Sequence, residues 1–391
     1  MKIAIDTLFE NPDQPTGAID YLRNVARVFP RIGPEHEFYF LASQRGMRHF
    51  KEFERPNLRF IECPSSNENL AKRILFQQAL MPRLLAKHNI DLLFSPGNVC
   101  PFFGDLCRVL KINTLHQYHT PELCGRTRTL YRKIFFAESA RRADHVLANT
   151  ELTKAEICKF MRVPEDKVTV VGEALYDVYS AVPAQDAKPI RAKYGLEQDY
   201  ILFVSLLYPY KNVETLLKAF KRLVESGRDL RLAIVGRDFE GHQAKLQALT
   251  NDLGLSKLVK FLGFVPTEDL PAIYSAAGAF IFPSLVETFG KPLVEAMQCG
   301  TPIVASNVSC IPEVLGGAGV LVDPMDADQM AAAIARVIED PDLRKDLIER
   351  GLKRSQDFSW ERGAEATLSL IERTFEEWRM VSTRTEVVHG A

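Results

Sequence analysis

No apolar run in these 391 residues approaches the ~20 residues needed to cross a bilayer. The opening MKIAIDTLFE lacks the charged-then-apolar pattern of a secretory leader and reads straight into a strand. Together these absences give the expectation of a cytoplasmic protein. Charge of one sign is missing too: Lys and Arg number 49 against 50 Asp and Glu, a net charge of -1. Nucleic-acid binders usually carry a basic face, so no nucleic-acid partner is expected, although a local basic patch still has room to form. Seven cysteines are scattered, odd in number and never spaced C-x-x-C, which points to free thiols rather than a disulfide framework or a zinc site. Neither first βα turn carries G-x-G-x-x-G, and no G-x4-G-K-[ST] occurs, which argues against a nicotinamide dehydrogenase and a P-loop kinase.

What is present is an α/β pattern, repeated. The length suits two α/β domains better than one. In the first half, Lys2 to Asp6, Glu37 to Leu41, Asp91 to Phe94, Val109 to Ile112, His145 to Ala148 and Val168 to Val171 read as strands. Helical spacing separates them at Ile19 to Phe29, Thr129 to Arg142 and Thr153 to Arg162, with a basic amphipathic stretch near Leu70 to His88. Such alternation means a parallel sheet covered on both faces. The segment 173–198 shows little periodicity and is read as a linker. The pattern then restarts, giving domains at 1–172 and 199–357 and a last helix within 358–391.

Ligands of open α/β sheets bind beyond the carboxyl ends of the strands. One such loop carries distinctive chemistry: Phe282-Pro-Ser-Leu-Val-Glu287-Thr288-Phe289-Gly290-Lys291-Pro292-Leu293-Val-Glu295-Ala-Met297. A strand ends at Phe282, Gly290 permits a turn, and a helix begins at Lys291 with Pro292 in its first turn, where a missing N–H does no harm. The free N–H groups and helix dipole there suit a phosphate. Glu287 precedes that anion site and Glu295 lies one turn inside it, both placed to accept hydrogen bonds from hydroxyls flanking a diphosphate. For Glu295 the plainer alternative is a first-turn acid that complements the dipole.

This segment, E-x-F-G-x-P-x-x-E-A-M followed by Cys299-Gly-Thr-Pro-Ile-Val-Ala-Ser306, resembles the E-x7-E region of the large group-1, GT4-type glycosyltransferases. Tyr200 to Asn212 is similar to the donor-binding strand and loop of that family, with Lys211 at its phosphate-neutralising lysine. Phe261 to Phe264, Ser309 to Pro324, Ser95 to Asn98, Thr16-Gly17 with Tyr21, and Phe358 to Glu361 also fit. The resemblance covers most of the chain and leans toward mannosyltransferase-like members that build bacterial surface polysaccharides.

The resemblance implies a GT-B fold: two facing Rossmann-like doubly wound domains, with the C-terminal helix crossing back to the first. It implies a retaining transfer of a hexose, with mannose the best guess, from a GDP- or UDP-linked sugar, without cofactor or metal. The acceptor would be a saccharide or a lipid-linked saccharide, with possible peripheral contact at the inner membrane face. Glu287 would bind sugar hydroxyls and Glu295 the ribose; Lys211 and the backbone from Thr288 to Leu293 would hold the diphosphate. Gly17, Ser205, Gly236 and Phe264 complete the expected donor site.

Two departures stand out. Leu206 and Tyr210 stand where the family usually has an Arg before its Lys, so a second cation is sought elsewhere, Arg237 being one candidate. Ile112-Asn113-Thr114 replaces the usual I-H-D, with His116 and His119 displaced by a few residues. Asn113 or His116 could take the catalytic place, and His116 could equally be structural. The basic stretch from Lys72 to Lys87 reads either as a solvated helix face or as a surface resting on a membrane. A nucleotide-sugar 2-epimerase and a non-catalytic nucleotide-sugar-binding subunit remain as rival readings.

Overall fold

The computed structural model describes every residue except 14–16, 65, 174–177, 239–240 and 390–391, with the backbone alone at 17–18, 123–124 and 383–389. The chain divides into two compact units: Met1–Gly172 together with Trp360–Ala391, and Glu173–Ser359.

The first unit is built on seven parallel strands: β1 (Lys2–Asp6), β2 (Glu37–Ala42), β3 (Leu58–Glu62), β4 (Leu92–Ser95), β5 (Cys107–Lys111), β6 (His145–Ala148) and β7 (Val168–Val170). Their order is β3-β2-β1-β4-β5-β6-β7, so the winding reverses between β1 and β4. The central strands are buried along their whole length, as parallel strands covered on both faces must be, hence their near-continuous apolar sequences. Helix Trp360–His389 belongs to this unit. Trp360 packs on Tyr21 of helix Gly17–Ile32, their rings 5.4 Å apart, and Glu372 meets buried His36 at 2.8 Å. His36 also lies 3.4 Å from Glu35, so this cluster ties the last helix to the amino end of β2.

The second unit holds six parallel strands: β8 (Tyr200–Val204), β9 (Arg231–Val235), β10 (Val259–Gly263), β11 (Ala279–Phe282), β12 (Ile303–Ser306) and β13 (Val320–Val322). Their order, β10-β9-β8-β11-β12-β13, reverses between β8 and β11. On one face, helix Val213–Glu225 buries Leu216, Phe220 and Leu223 in a core shared with Met330, Ile334 and Val337 of helix Ala327–Glu339.

Three elements differ from the sequence reading. β3 was not expected; it lies at the sheet edge, with Leu58 and Ile61 buried, Phe60 half-buried and Arg59 and Glu62 exposed. The presumed linker is not structureless, because Ala184–Lys193 forms a helix against helix Leu270–Ser275, seated through Ala187. A further helix, Pro341–Ser355, was not read from the sequence; it is mostly solvated and seats Leu347 in the core with Leu343 packed against it. Among the described residues no helix is long and apolar enough to cross a membrane.

Candidate active site

In the second unit the candidate residues converge on the carboxyl ends of the strands around the β8/β11 reversal, where doubly wound sheets open a crevice. The loop after β8 tightens into a short turn at Pro209–Lys211 and ends at Asn212, in the left-handed region at φ 58°. Asn212 is buried and its amide donates to the carbonyls of Pro283 (3.2 Å) and Pro324 (2.7 Å), while its oxygen accepts from Thr215 (2.7 Å). The loops after β8, β11 and β13 are thereby joined, and the side chain of Lys211 is aimed across the reversal. Its ammonium lies 2.5 Å from a carboxylate oxygen of Glu287, and both side chains are only 10% exposed.

Glu287 is clamped from a third loop. Its N–H donates to the Ser309 hydroxyl (3.0 Å), which donates back to the Glu287 carbonyl (2.7 Å). A backbone held at two points can present a carboxylate without losing much side-chain entropy on binding. Just beyond, Gly290 caps helix Lys291–Gln298 at φ 87°, a conformation that favours glycine. With no side chain at this cap, an anion can approach the first turn. Lys291 opens the helix and lies 3.5 Å from Glu173. Glu295, one turn in, accepts 2.8 Å from the hydroxyl of Tyr274. Tyr274 is fully buried, and burial pushes its ionisation far above the ordinary range, so it stays a neutral donor.

The flank formed by β8, β9 and β10 is stitched by Ser205 N–H to Val235 O (3.0 Å) and Gly236 N–H to Gly263 O (2.9 Å). At Gly236 (φ 152°) a Cβ would stand 1.7 Å from the Ser205 carbonyl oxygen, so only glycine allows this crossing. Phe264, after β10, is exposed, and the Arg237 guanidinium lies 4.2 Å over its ring. Arg237, one candidate for the second phosphate cation, thus stacks on an exposed aromatic face. Phe289 and Leu293 are core side chains, the former edge-on to Phe358 at 5.4 Å, so only their backbone is available to a ligand. Thr288, just before Phe289, and Pro292, just before Leu293, are half-buried.

In the first unit, Asn113 and His116 sit together beyond the carboxyl end of β5. Asn113 receives structural ties: its N–H donates to Asn98 Oδ1 (2.6 Å) and its side-chain amide to the Pro96 carbonyl. It thus braces the loop after β4 against that after β5. His116 opens a one-turn helix, His116–His119, and is half-buried. His119 points elsewhere, paired with Glu156 at 2.8 Å, and that hydrogen bond raises its pKa. Gly17 opens helix Gly17–Ile32 after β1; its neighbour Thr16 is outside the described residues. Sequence reasoning gave no role to Asn212, Ser309, Tyr274 or Glu173. Ser309 lay inside a motif that resembled the family, but its partner is 22 positions away and no local spacing could reveal the clamp.

Residues 186–354 match the family model described as glycosyl transferases group 1, and residues 15–174 that of glycosyltransferase family 4. An O-antigen chain mannosyltransferase B of Escherichia coli is 32% identical over 263 residues, covering 66% of this chain and 69% of the relative. A D-inositol 3-phosphate glycosyltransferase of Corynebacterium jeikeium is 28% identical over 95% of this chain and 96% of its own. Among solved structures, sucrose-phosphate synthase from Thermosynechococcus elongatus superposes with a TM-score of 0.79 at 20% identity, covering 96% of this chain and all of that one. Anabaena HepE, solved in complex with UDP and glucose, gives 0.73 at 20% identity, covering 95% of this chain and 100% of its own.

Proposed function

The chain belongs to family 4 of the group 1 glycosyltransferases, with the GT-B fold and a hexosyltransferase activity, and from that premise we propose that it transfers mannose, with retention, from a nucleoside diphosphate sugar to a saccharide or lipid-linked saccharide. The observation that carries this reading is the Lys211–Glu287 pair set over the β8/β11 reversal beside the open first turn of helix Lys291–Gln298. A cation, a carboxylate and a helix N-terminus side by side suit a diphosphate with a sugar attached. In the reaction the acceptor hydroxyl oxygen bonds to the anomeric carbon as the bond from that carbon to the diphosphate oxygen breaks, and negative charge gathers on the leaving diphosphate, which takes up the hydroxyl proton. Lys211, Lys291 and the backbone N–H that opens that helix stabilise this charge, Pro292 having no N–H and that of Leu293 donating to the Gly290 carbonyl (2.9 Å), with no metal ion in the proposed reaction. Glu287 accepts from sugar hydroxyls. Glu295, oriented by Tyr274, accepts from the ribose. Gly236, Ser205 and Phe264 border the nucleoside, and the resemblance gives Gly17, Asn113 and His116 a part in the reaction as well. Mannose is supported by the 32% identical mannosyltransferase relative, and a nucleotide donor by the UDP complex of HepE.

The test is a panel of GDP-, UDP-, ADP- and CMP-sugars in EDTA, read by unfolding midpoint and by transfer to saccharide acceptors, with product configuration read by NMR. The expected result is one sugar nucleotide, GDP-mannose, that raises the midpoint by mass action and yields an α-linked product from the α-linked donor. A β-linked product would overturn retention, and transfer that requires a divalent ion would overturn the metal-free reading.

A further inference from the structure

The second unit carries a cleft that the transfer chemistry does not use. It holds about 360 Å³, within the range of small-molecule sites. The cleft opens at the amino ends of β8, β9 and β10, a strand's length of roughly 15 Å from the loops that gather Lys211 and Glu287. Its walls are the turn 195–198, Arg231 at the start of β9, and the segment 256–260 that enters the edge strand β10. Three cations line it, Arg231, Lys257 and Lys260, against one acid, Glu197, in a chain whose net charge is -1. A lysine on an edge strand keeps that edge from pairing and needs no further role. Three cations around one cavity do not follow from that need.

Local structure holds the walls in place. Arg191, which does not line the cleft, donates to the carbonyls of Leu196 (2.8 Å), Glu197 (2.9 Å) and Gln198 (3.2 Å), with its guanidinium 5.9 Å from the centre of the Tyr200 ring. A trans peptide sets its N–H opposite its carbonyl, so the N–H groups of Glu197, Gln198 and Asp199 turn away from Arg191. The cations are placed as well. Lys260 donates to the Gly195 carbonyl at 3.3 Å, and Asp229 holds Arg231 at 2.8 Å. Gly195 leaves room between them. It sits at φ 59°, and a Cβ there would stand 2.2 Å from the Lys260 ammonium and 3.9 Å from a Glu197 carboxylate oxygen. A rim fixed in this way loses little entropy when a ligand enters.

We propose that this cleft is a second ligand site, for a small phosphate ester that also carries hydroxyl groups, of the sugar phosphate class. Lys257 and Lys260 take the phosphate, and Glu197 accepts from the hydroxyls. The mixed charge selects this class. Asp229 already neutralises Arg231, so the surplus positive charge rests on the two lysines. A bare polyanion meets repulsion from Glu197, whereas a ligand with hydroxyls beside its phosphate gives that carboxylate donors. The Gln198 carboxamide and the Ser256 hydroxyl, also in the walls, extend the hydroxyl side. The site lies at the opposite ends of the strands from the proposed donor site and stands independently of that reading.

The experiment is calorimetric titration of the full chain with mannose 6-phosphate, beside mannose and inorganic phosphate. The ester binds at a single site and mannose does not bind. Inorganic phosphate binds about fivefold more weakly than the ester or worse, because it brings no hydroxyl-bearing carbon frame to Glu197. Lys257→Gln with Lys260→Gln weakens the ester about fivefold for each ammonium removed. Both side chains are exposed, so the unfolding midpoint without ligand stays near that of the wild type. Glu197→Gln narrows the gap between ester and inorganic phosphate. Lys211→Gln with Glu287→Gln, which removes both members of the distant pair, leaves the affinity unchanged. Wild-type protein that binds no ester overturns the inference, as does an ester held no better than inorganic phosphate. Lysine variants that bind undiminished overturn it too. So does loss of binding in the Lys211 and Glu287 variant, which would put the ester in the proposed donor site instead.

Discussion

Glu287→Gln isolates the electrostatics of the proposed donor site from its shape. The change keeps an acceptor oxygen near Lys211 but removes the charge that neutralises an ammonium whose side chain is only 10% exposed. Deleting one member of a buried pair typically costs about 3–5 kcal/mol because the other charge is left uncompensated, and retention of an acceptor places this change near about 3. For a unit of this size each kcal/mol moves the unfolding midpoint by about 2–4 °C, so a fall of roughly 6–12 °C is expected without ligand. A bare nucleoside diphosphate then acts oppositely on the two proteins. In the wild type its phosphate competes with Glu287 for Lys211; in the variant it meets an unclaimed cation. A hydrogen bond to a charged group is worth about 1.5–3 kcal/mol, so the variant binds the free diphosphate about tenfold more tightly or better, while transfer collapses. Calorimetric titration of both proteins with GDP and UDP, beside unfolding scans, measures each part. If neither diphosphate binds the variant more tightly than the wild type, Lys211 is not the phosphate cation and the reasoning fails.

Gly236→Ala should destabilise by about 2 kcal/mol or more and remove the donor-dependent midpoint shift, because its Cβ would collide with the Ser205 carbonyl at 1.7 Å. An alanine variant as stable as the wild type would mean that the crossing of β8 and β9 is far looser than this. His145 is expected to set an acid limit. Its Nε2 lies 2.8 Å from Thr169 Oγ1, and burial, aided by the charges of Arg373 and Lys167, pushes its pKa down to about 4. Between pH 6.5 and 4 the unfolded chain binds a proton that the folded chain refuses. Stability is therefore lost as pH falls, by up to about 3 kcal/mol at the acid end of that window. Denaturant titrations at pH 7.5 and 4.5 should show a smaller pH dependence for His145→Gln than for the wild type. Equal slopes would refute the assignment.

The legible parts of this fold were those whose physics is local. A parallel strand buried on both faces tends to be apolar throughout, so β8 and β11 announce themselves. The edge strand β3 is half wet and follows no clean period. Helix Ala184–Lys193 rests on one buried alanine and has Pro189 inside it, so neither propensity nor stripe marks it. The site divides the same way. The glycine cap and Pro292 lie within one loop and could be read together, whereas the partners that set its electrostatics come from afar. Glu173 meets Lys291, and Ser309 clamps Glu287, through a topology that the sequence expresses only by folding.

Those distant partners bear on how the proposed donor site would discriminate. Both lysines beside the open helix turn are matched by a carboxylate, Lys211 by Glu287 and Lys291 by Glu173. The two pairs sum to no net charge, so a diphosphate gains from Lys211 only by drawing it away from Glu287. A complete sugar nucleotide supplies both separated groups with partners, phosphate for the ammonium and sugar hydroxyls for the carboxylate. The nucleoside diphosphate left after transfer satisfies Lys211 alone and leaves Glu287 partly buried without a donor, a state that costs free energy. In the proposed site the pair that positions the sugar would therefore weaken the hold on the product, and the carboxylate would re-pair with its lysine as the diphosphate departs. The Arg missing at Leu206 or Tyr210 would then have a physical consequence: another permanent cation would hold the spent nucleotide more tightly without any preference for the sugar.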